Sequence, residues 1–199
     1  MRVIGGSARG IPLLTVPDDG TRPILDRLKK SLFSILDSAG LLADTRAMDL
    51  YSGCGTLGIE ALSRGARHCL FVELRADCVA LLKKNLEKTR LAERAEVHRG
   101  EVSTVLRGLA PADADPPDKR RCELILYDPP FVFSREKTSR TALEAELAMA
   151  GRFLCDAGRL VLRCERAAEP PRPAGLALAR HWQDGPHALC FYVRRTLAP

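Results

Sequence analysis

Two short stretches of the chain carry residue types at spacings that could do chemistry. The first is Asp49-Leu50-Tyr51-Ser52-Gly53-Cys54-Gly55-Thr56-Leu57-Gly58, a G-x-G-x-x-G turn. An apolar run through Ala47 and Met48 leads into it, and Ile59, Ala61 and Leu62 open an amphipathic helix behind it. Glycines in a strand-to-helix turn let the backbone approach a nucleotide-like ligand, because they carry no side chain and tolerate positive φ. The strand before and the helix after are what separate such a turn from an ordinary tight bend. Glu73 ends the next apolar run, 20 residues after Gly53, where an acid can accept hydrogen bonds from both ribose hydroxyls. That geometry serves NAD and S-adenosylmethionine alike. Asp49 sharpens the choice, since an acid at the head of the turn repels a pyrophosphate yet helps to hold the ammonium of a methionine moiety. Gly100-Glu101 sits where an acid or amide can meet an adenine amino group.

The second stretch is Asp128-Pro129-Pro130-Phe131. Consecutive prolines fix the backbone and remove two amide donors, leaving carbonyl groups to point into a cleft. The Asp128 carboxylate and the Pro129 carbonyl are two acceptors, and Phe131 adds a flat ring. An exocyclic amine on a nucleobase needs those groups. Two acceptors bind its hydrogens and favour pyramidalisation, which makes the nitrogen lone pair available for attack on a methyl carbon. The ring can stack on a base that has left its helix. A nicotinamide-dependent dehydrogenase would give this stretch no role, so it selects S-adenosylmethionine as the cofactor. No Ser-His-Asp set can be assembled, and Cys54, inside the glycine turn, reads as packing rather than as a nucleophile.

The elements that must position these residues alternate. Strands are expected over 47–50, 69–73, 95–98, 123–127 and 160–162, with helices over 57–64, 76–90, 102–108 and 139–153 between them. Strand–helix alternation implies a mostly parallel sheet covered on both faces. Ligands in such sheets lie outside the carboxyl ends of the strands, where both motifs fall. Segments 176–182 and 188–194, around Asp184-Gly185-Pro186, read as a closing antiparallel pair. Residues 111–121 form a polar, proline-containing insert that reads as a mobile surface loop. Ahead of the sheet, Met1 to Val16 suggests a small hairpin or arm closed by Pro17-Asp18-Asp19-Gly20. A helix then starts near Thr21-Arg22-Pro23 and stops at Gly40. Its apolar face carries Leu25, Leu28, Leu32, Ile35 and Leu36, and its opposite face Asp26, Arg27, Lys29 and Lys30. With Arg2, Arg9 and Arg22, this basic opening reads as a surface for nucleic acid or as a solvated helix face.

Length and composition exclude several classes. The 199 residues fit one domain with a small appendage and support a core without disulfides or structural metal. Seven cysteines without a C-x-x-C pair read as reduced thiols of a cytosolic protein. The four histidines have no metal-ligand spacing, so no metal site is expected. No apolar run approaches the ~18 residues of a membrane span, and no signal peptide is visible. A net charge of +6 is compatible with an anionic partner without demanding one.

Asp49-x-x-Ser52-Gly53-x-Gly55-x-x-Gly58 together with Asp128-Pro129-Pro130-Phe131 resembles the class I S-adenosylmethionine-dependent amino-methyltransferases. Ile4-Gly5-Gly6-x-x-Arg9-Gly10, Arg22-Pro23-x-x-Asp26-Arg27 and Leu32-Phe33-x-Ile35-Leu36 narrow the resemblance to the RsmD family, bacterial enzymes that methylate the 2-amino group of a guanine in 16S rRNA. The resemblance implies a Rossmann-like α/β fold, a seven-stranded mostly parallel sheet with the last strand antiparallel. It implies two parts, an RNA-binding extension over 1–40 and a methyltransferase domain over 41–199. The cofactor residues it implies are Asp49, Tyr51, Ser52, Gly53, Gly55, Glu73, Leu74, Glu101 and Val102. Asp128, Pro129, Pro130 and Phe131 take the target base, and Arg9, Arg22 and Arg27 the substrate RNA. The implied partner is 16S rRNA within an assembling small ribosomal subunit, and the implied enzyme is a cytoplasmic monomer. Its nearest rival is a DNA adenine 6-amino methyltransferase, because the same acceptors serve either amine. A non-enzymatic RNA-binding module is a further alternative.

Overall fold

A computed structural model describes residues 1–16, 26–110, 116, 118–130 and 137–195. Its centre is a seven-stranded sheet made of β1 (Arg46–Leu50), β2 (His68–Glu73), β3 (Ala95–Arg99), β4 (Cys122–Tyr127), β5 (Leu154–Glu165), β6 (Leu176–Asp184) and β7 (His187–Arg194). The strand order is β3-β2-β1-β4-β5-β7-β6. Strands β1 to β5 pair in parallel, and β7 runs antiparallel to both β5 and β6. The helices are α1 (Asp26–Ser38), α2 (Thr56–Ser63), α3 (Ala76–Thr89), α4 (Val102–Leu109) and α5 (Lys137–Gly151).

Parallel strands must be covered on both faces, and the side-chain alternation of period two sorts each strand between two layers. Ala47, Cys69, Phe71, Leu124, Leu126 and Val161 pack against α1, α2 and α3. Met48, Leu50, Leu70, Val72, Ile125, Leu160 and Leu162 pack against α4 and α5. Chain order reverses at β1, whose neighbours are β2 and β4. The two motifs therefore meet at the carboxyl ends of adjacent strands, at the switch point where open α/β sheets place ligands.

Most elements lie within a residue or two of the expected spans, and β5 is the exception. It is not a three-residue strand at 160–162 but runs through Asp156-Ala157-Gly158 for 12 residues. A register shift against β4 between Cys122 and Leu124 absorbs those residues, so the strand continues upstream through a bulge. The opening segment is also less regular than two strands. A single antiparallel bridge joins Arg2 and Pro12, flanked by Val3 N–H to the Ile11 carbonyl at 3.0 Å and Leu13 N–H to the Met1 carbonyl at 3.0 Å. Val3, Ala8 and Leu13 are buried in the core shared with α1 and α2. Gly6, at φ +75°, explains the paired glycines of the arm, because a Cβ there would sit 1.8 Å from the Ser63 carbonyl.

Lys29 corrects the expectation of a solvated basic face on α1, for it is fully buried. Its Nζ donates to the Arg2 carbonyl at 2.5 Å and lies 3.4 Å from Glu60 Oε2, itself 0% exposed. Glu60 also accepts from Ile4 N–H at 2.8 Å and from Arg64 Nε at 2.8 Å. Burial holds the Lys29 ammonium below its usual pKa, with the Glu60 charge opposing. A carboxylate from α2 thus joins the arm, α1 and the helix that carries the glycine turn.

The turn Pro17 to Gly20, the helix start at Thr21-Arg22-Pro23, Leu25 and most of the 111–121 insert lie outside the described residues. Within the insert, Asp118–Arg120 forms one 3-10 turn, and Arg120 pairs with Glu96 of β3 at 2.7 Å. No helix among the described residues is long and apolar enough to cross a membrane.

Candidate active site

The glycine turn leaves β1 with three closely spaced demands on backbone conformation. Tyr51 takes φ +63°, Gly53 φ +54° and Gly55 φ +85°. At Gly55 a Cβ would also stand 2.3 Å from Leu82 Cδ1, so the first turn of α2 can seat only on glycine. Gly58 has an ordinary φ but no room. A Cβ there would lie 2.2 Å from the Phe71 ring and 2.9 Å from Asp49 Oδ2. That closeness is functional, because Gly58 N–H donates to Asp49 Oδ2 at 2.7 Å.

Asp49 is only 1% exposed, and its second oxygen, Oδ1, has no protein partner among the described residues. A buried carboxylate oxygen without a donor is costly, so this one is retained for something other than stability. Burial pushes its carboxyl pKa up to about 8 against the Gly58 hydrogen bond, and the neighbouring Asp128 and Glu73 carboxylates add to the rise. Ionisation of Asp49 therefore destabilises the fold. Because the folded-state pKa lies above the unfolded one, its contribution to stability is complete below about pH 4 and is lost as pH rises through about 8. Asp49→Asn keeps an acceptor for Gly58 and is expected to unfold at higher urea than the parent at pH 8. The difference, a few kcal/mol on an order-of-magnitude scale, should shrink as pH falls and vanish only below about pH 4.

Glu73 sits at the end of β2. Its Oε2 accepts from Gly53 N–H at 2.8 Å and its Oε1 from Arg75 N–H at 2.8 Å, which aims the carboxylate along the rim of the turn. Leu74 beside it is 57% exposed, the most exposed large apolar side chain among the described residues. Ser52 is buried and donates from Oγ to the Val72 carbonyl at 3.3 Å, tying the turn to β2. Glu101 is exposed and precedes α4, while Val102 is buried in the first turn of that helix. Tyr51 behaves differently from a plain cofactor contact. Its hydroxyl donates to Glu146 Oε1 of α5 at 2.7 Å, and Tyr127 donates to the same oxygen. The two rings meet edge to face at 5.4 Å. One carboxylate thereby ties the end of β1 to the end of β4.

Asp128 follows β4 directly, its N–H donating to the Leu50 carbonyl of β1 at 3.2 Å. The Asp128 carboxylate Oδ1 accepts from Arg163 Nε of β5 at 2.5 Å. Burial raises its pKa, and the Arg163 guanidinium pulls it back. Pro129 and Pro130 continue the segment, and Phe131 lies outside the described residues, as does Arg22. Arg9 is exposed in the arm. Arg27 extends from α1 to Asp184 at the β6–β7 turn, 2.8 Å away.

Residues that sequence reasoning missed are the supports, namely Glu146, Arg163, Glu60 and Asn85. Asn85 is buried on α3, and its amide nitrogen donates to the carbonyls of Leu14 and Cys54, each at 2.9 Å, while its oxygen accepts from Leu14 N–H. A polar residue on the apolar side of α3 is the signal that could have found it.

S-adenosylmethionine, expected from the sequence, fits this donor set. Three carboxylates, Asp49, Glu73 and Asp128, surround the carboxyl ends of β1, β2 and β4. That field suits a sulfonium and an ammonium and opposes a pyrophosphate. The α2 N-terminus, which would otherwise attract a phosphate, already spends the Gly58 N–H on the protein's own carboxylate. Among the described residues no group of three acidic, histidine or cysteine side chains could hold a metal ion.

The family model described as conserved hypothetical protein 95 matches residues 1–193. The chain belongs to that family. A Bacillus subtilis relative, YlbH, provisionally named an rRNA methyltransferase, is 32% identical over 198 residues, covering 98% of this chain and 100% of its own. The ribosomal RNA small subunit methyltransferase D of Haemophilus influenzae is 33% identical over 135 residues, 67% of this chain and 65% of its own length. Among solved structures, a hypothetical protein of Thermus thermophilus superposes with a TM-score of 0.78 at 28% identity, covering 96% of this chain and 98% of the other. An Escherichia coli protein, provisionally described as a methyltransferase, gives 0.73 at 29% identity over 98% and 97%. The RsmD resemblance carried by the motifs holds, and the sheet is that of a Rossmann-like class I methyltransferase.

Proposed function

We propose that the protein transfers a methyl group from S-adenosylmethionine to the exocyclic 2-amino group of a guanine in 16S rRNA. Family membership supports the coarser part, a ribosomal RNA methyltransferase of the small subunit. The observation that carries the chemistry is the adjacency of an unpartnered buried carboxylate oxygen on Asp49 and the Asp128-Pro129 acceptors at neighbouring strand ends.

S-adenosylmethionine supplies an electrophilic methyl on a positively charged sulfur. In this reading Asp49 faces the ammonium, Glu73 the ribose hydroxyls, and Leu74, Glu101 and Val102 the adenine. Asp128 and Pro129 accept the amine hydrogens, Pro130 keeps the segment stiff, and Phe131 stacks on the base. Positioning supplies most of the rate, so no covalent enzyme intermediate is required. The extension 1–40 holds RNA phosphates through Arg9, Arg22 and Arg27, ahead of the methyltransferase domain 41–199. The substrate is an assembling subunit in the cytoplasm, and the enzyme works as a monomer.

Incubation with methyl-labelled S-adenosylmethionine and either small ribosomal subunits or adenine-containing DNA tests the proposal. Label in 16S rRNA, mapped to a guanine that is unmethylated in a strain lacking the protein, is the expected result. Label confined to DNA adenine supports the rival, and RNA affinity with no transfer supports a binding module.

A further inference from the structure

In the proposed role the Asp128 carboxylate accepts a hydrogen bond from the amine, yet its side chain is only 15% exposed and stands near the Asp49 carboxyl. Protonated, it would offer a donor where an acceptor is needed. The register of the sheet brings in a remedy. Tyr127 of β4 pairs with Leu162 of β5, so the next residues along, Asp128 and Arg163, stand side by side. Val161 packs on the α1–α2 side of the sheet and Leu162 on the other. The alternation therefore returns Arg163 to the layer that holds Asp49.

Arg163 is 8% exposed, an unusual position for a guanidinium in a strand whose neighbours are Leu160, Val161, Leu162 and Cys164. Its Nε meets Asp128 Oδ1 at 2.5 Å. The two side chains are only 9% and 15% exposed, so their Coulomb attraction is less screened than that of a surface pair. Among the described residues, the other charged or titratable groups facing Asp128 are His187 at the start of β7 and Asp49 of β1. Arg163 is the fixed cation of the three, since a guanidinium does not lose its proton in this range.

We propose that Arg163 is a positioning residue that keeps Asp128 an anionic hydrogen-bond acceptor and fixes the plane of its carboxylate toward the incoming amine. The proposal rests on the reading of Asp128 as the amine acceptor. An Nε contact uses one edge of one oxygen and leaves further lone pairs on the carboxylate for a substrate hydrogen.

Two variants, Arg163→Gln and Arg163→Lys, test it with two readouts. The first needs no activity. Carboxyl carbon NMR on aspartate-labelled protein, with Asp128→Asn to identify the resonance, follows the ionisation of Asp128 directly. An opposite charge at this range lowers an aspartate midpoint by about 1–3 pH units, so the Gln variant should titrate higher by that amount and the Lys variant close to the parent. The second readout is the pH profile of kcat on small ribosomal subunits. The acid limb of the Gln variant should move up correspondingly, with about a 10-fold or greater loss near pH 6, recovery toward alkaline pH, and little change in KM for S-adenosylmethionine. Merely loosened packing would lower kcat at every pH and would not be rescued by base. An Asp128 midpoint in Arg163→Gln equal to that of the parent overturns the proposal, whether or not the parent methylates rRNA. A shifted midpoint with an unshifted acid limb overturns the link to turnover. Absence of rRNA methylation by the parent, with the midpoint shifted, instead removes the reading on which the proposal rests.

Discussion

Asp128→Ala is expected to lower turnover by about 100- to 1,000-fold, the usual loss when one preorganised polar partner of a transition state is removed. The cofactor should still bind within a few-fold of the parent. This separation follows from where the groups sit. The glycine turn is held by Asp49 on Gly58 N–H and by Glu73 on Gly53 N–H, neither of which uses Asp128. Removing the Asp128 charge takes one anion from the field around the cofactor but also eases ionisation of Asp49, and the two effects offset. Alanine deprives Arg163 of its ion pair, so some stability is lost as well. Asp128→Asn keeps an acceptor oxygen without the charge and should fall between parent and alanine in kcat. Titration calorimetry with S-adenosylmethionine and single-turnover methylation separate the two effects. Near-parental turnover in Asp128→Ala would remove the amine-acceptor assignment.

Glu60→Gln carries the largest expected effect on stability. It leaves the Lys29 ammonium, fully buried, without its compensating charge. Breaking a buried pair from one side costs about 3–5 kcal/mol, which for a domain of this size lowers the thermal midpoint by roughly 6–20 °C. Glutamine preserves an acceptor for Ile4 N–H but turns its amide nitrogen toward Arg64 Nε, so the loss combines the missing charge with the Arg64 contact. Adding Lys29→Met should recover more than half of the loss, because replacing both members of a buried pair is far milder than orphaning one. Thermal melts of the parent, the single variant and the double variant decide this. Equal losses in the single and the double variant would show that the two charges do not act together.

The parts of this fold that can be read from the sequence are those specified locally. Apolar runs such as Cys69 to Val72 and Leu124 to Tyr127 can only be buried strands, and the glycine turn announces the helix after it. Within the proposed site, Asp49, Glu73 and the Asp128 segment are nominated by their own chemistry, and the fold brings them to neighbouring strand ends. What escapes is specified at a distance. Lys29 reads like any lysine on a polar helix face, because its partner Glu60 lies 31 residues on and only the folded arm closes water out. Arg163 interrupts an apolar strand, but nothing nearby names Asp128 as its counterpart. Strand β5 reads short because Asp156-Ala157-Gly158 has turn composition, and only pairing with β4 through a bulge reveals its continuation.

The first 16 residues have a consequence for the timing of folding. Ile4, Ala8 and Leu14 bond to side chains 56, 55 and 71 positions later in the chain. A growing polypeptide therefore exposes the arm long before its receptor exists. At about 5–20 residues per second, several seconds of synthesis separate the emergence of Leu14 from that of Asn85. The arm can make these contacts only after Glu60, Ser63 and Asn85 of α2 and α3 have been synthesised. Its closure also completes the Cys54 side of the glycine turn through Asn85. Closure of the glycine turn is thus coupled to capture of a segment made well before the side chains that hold it.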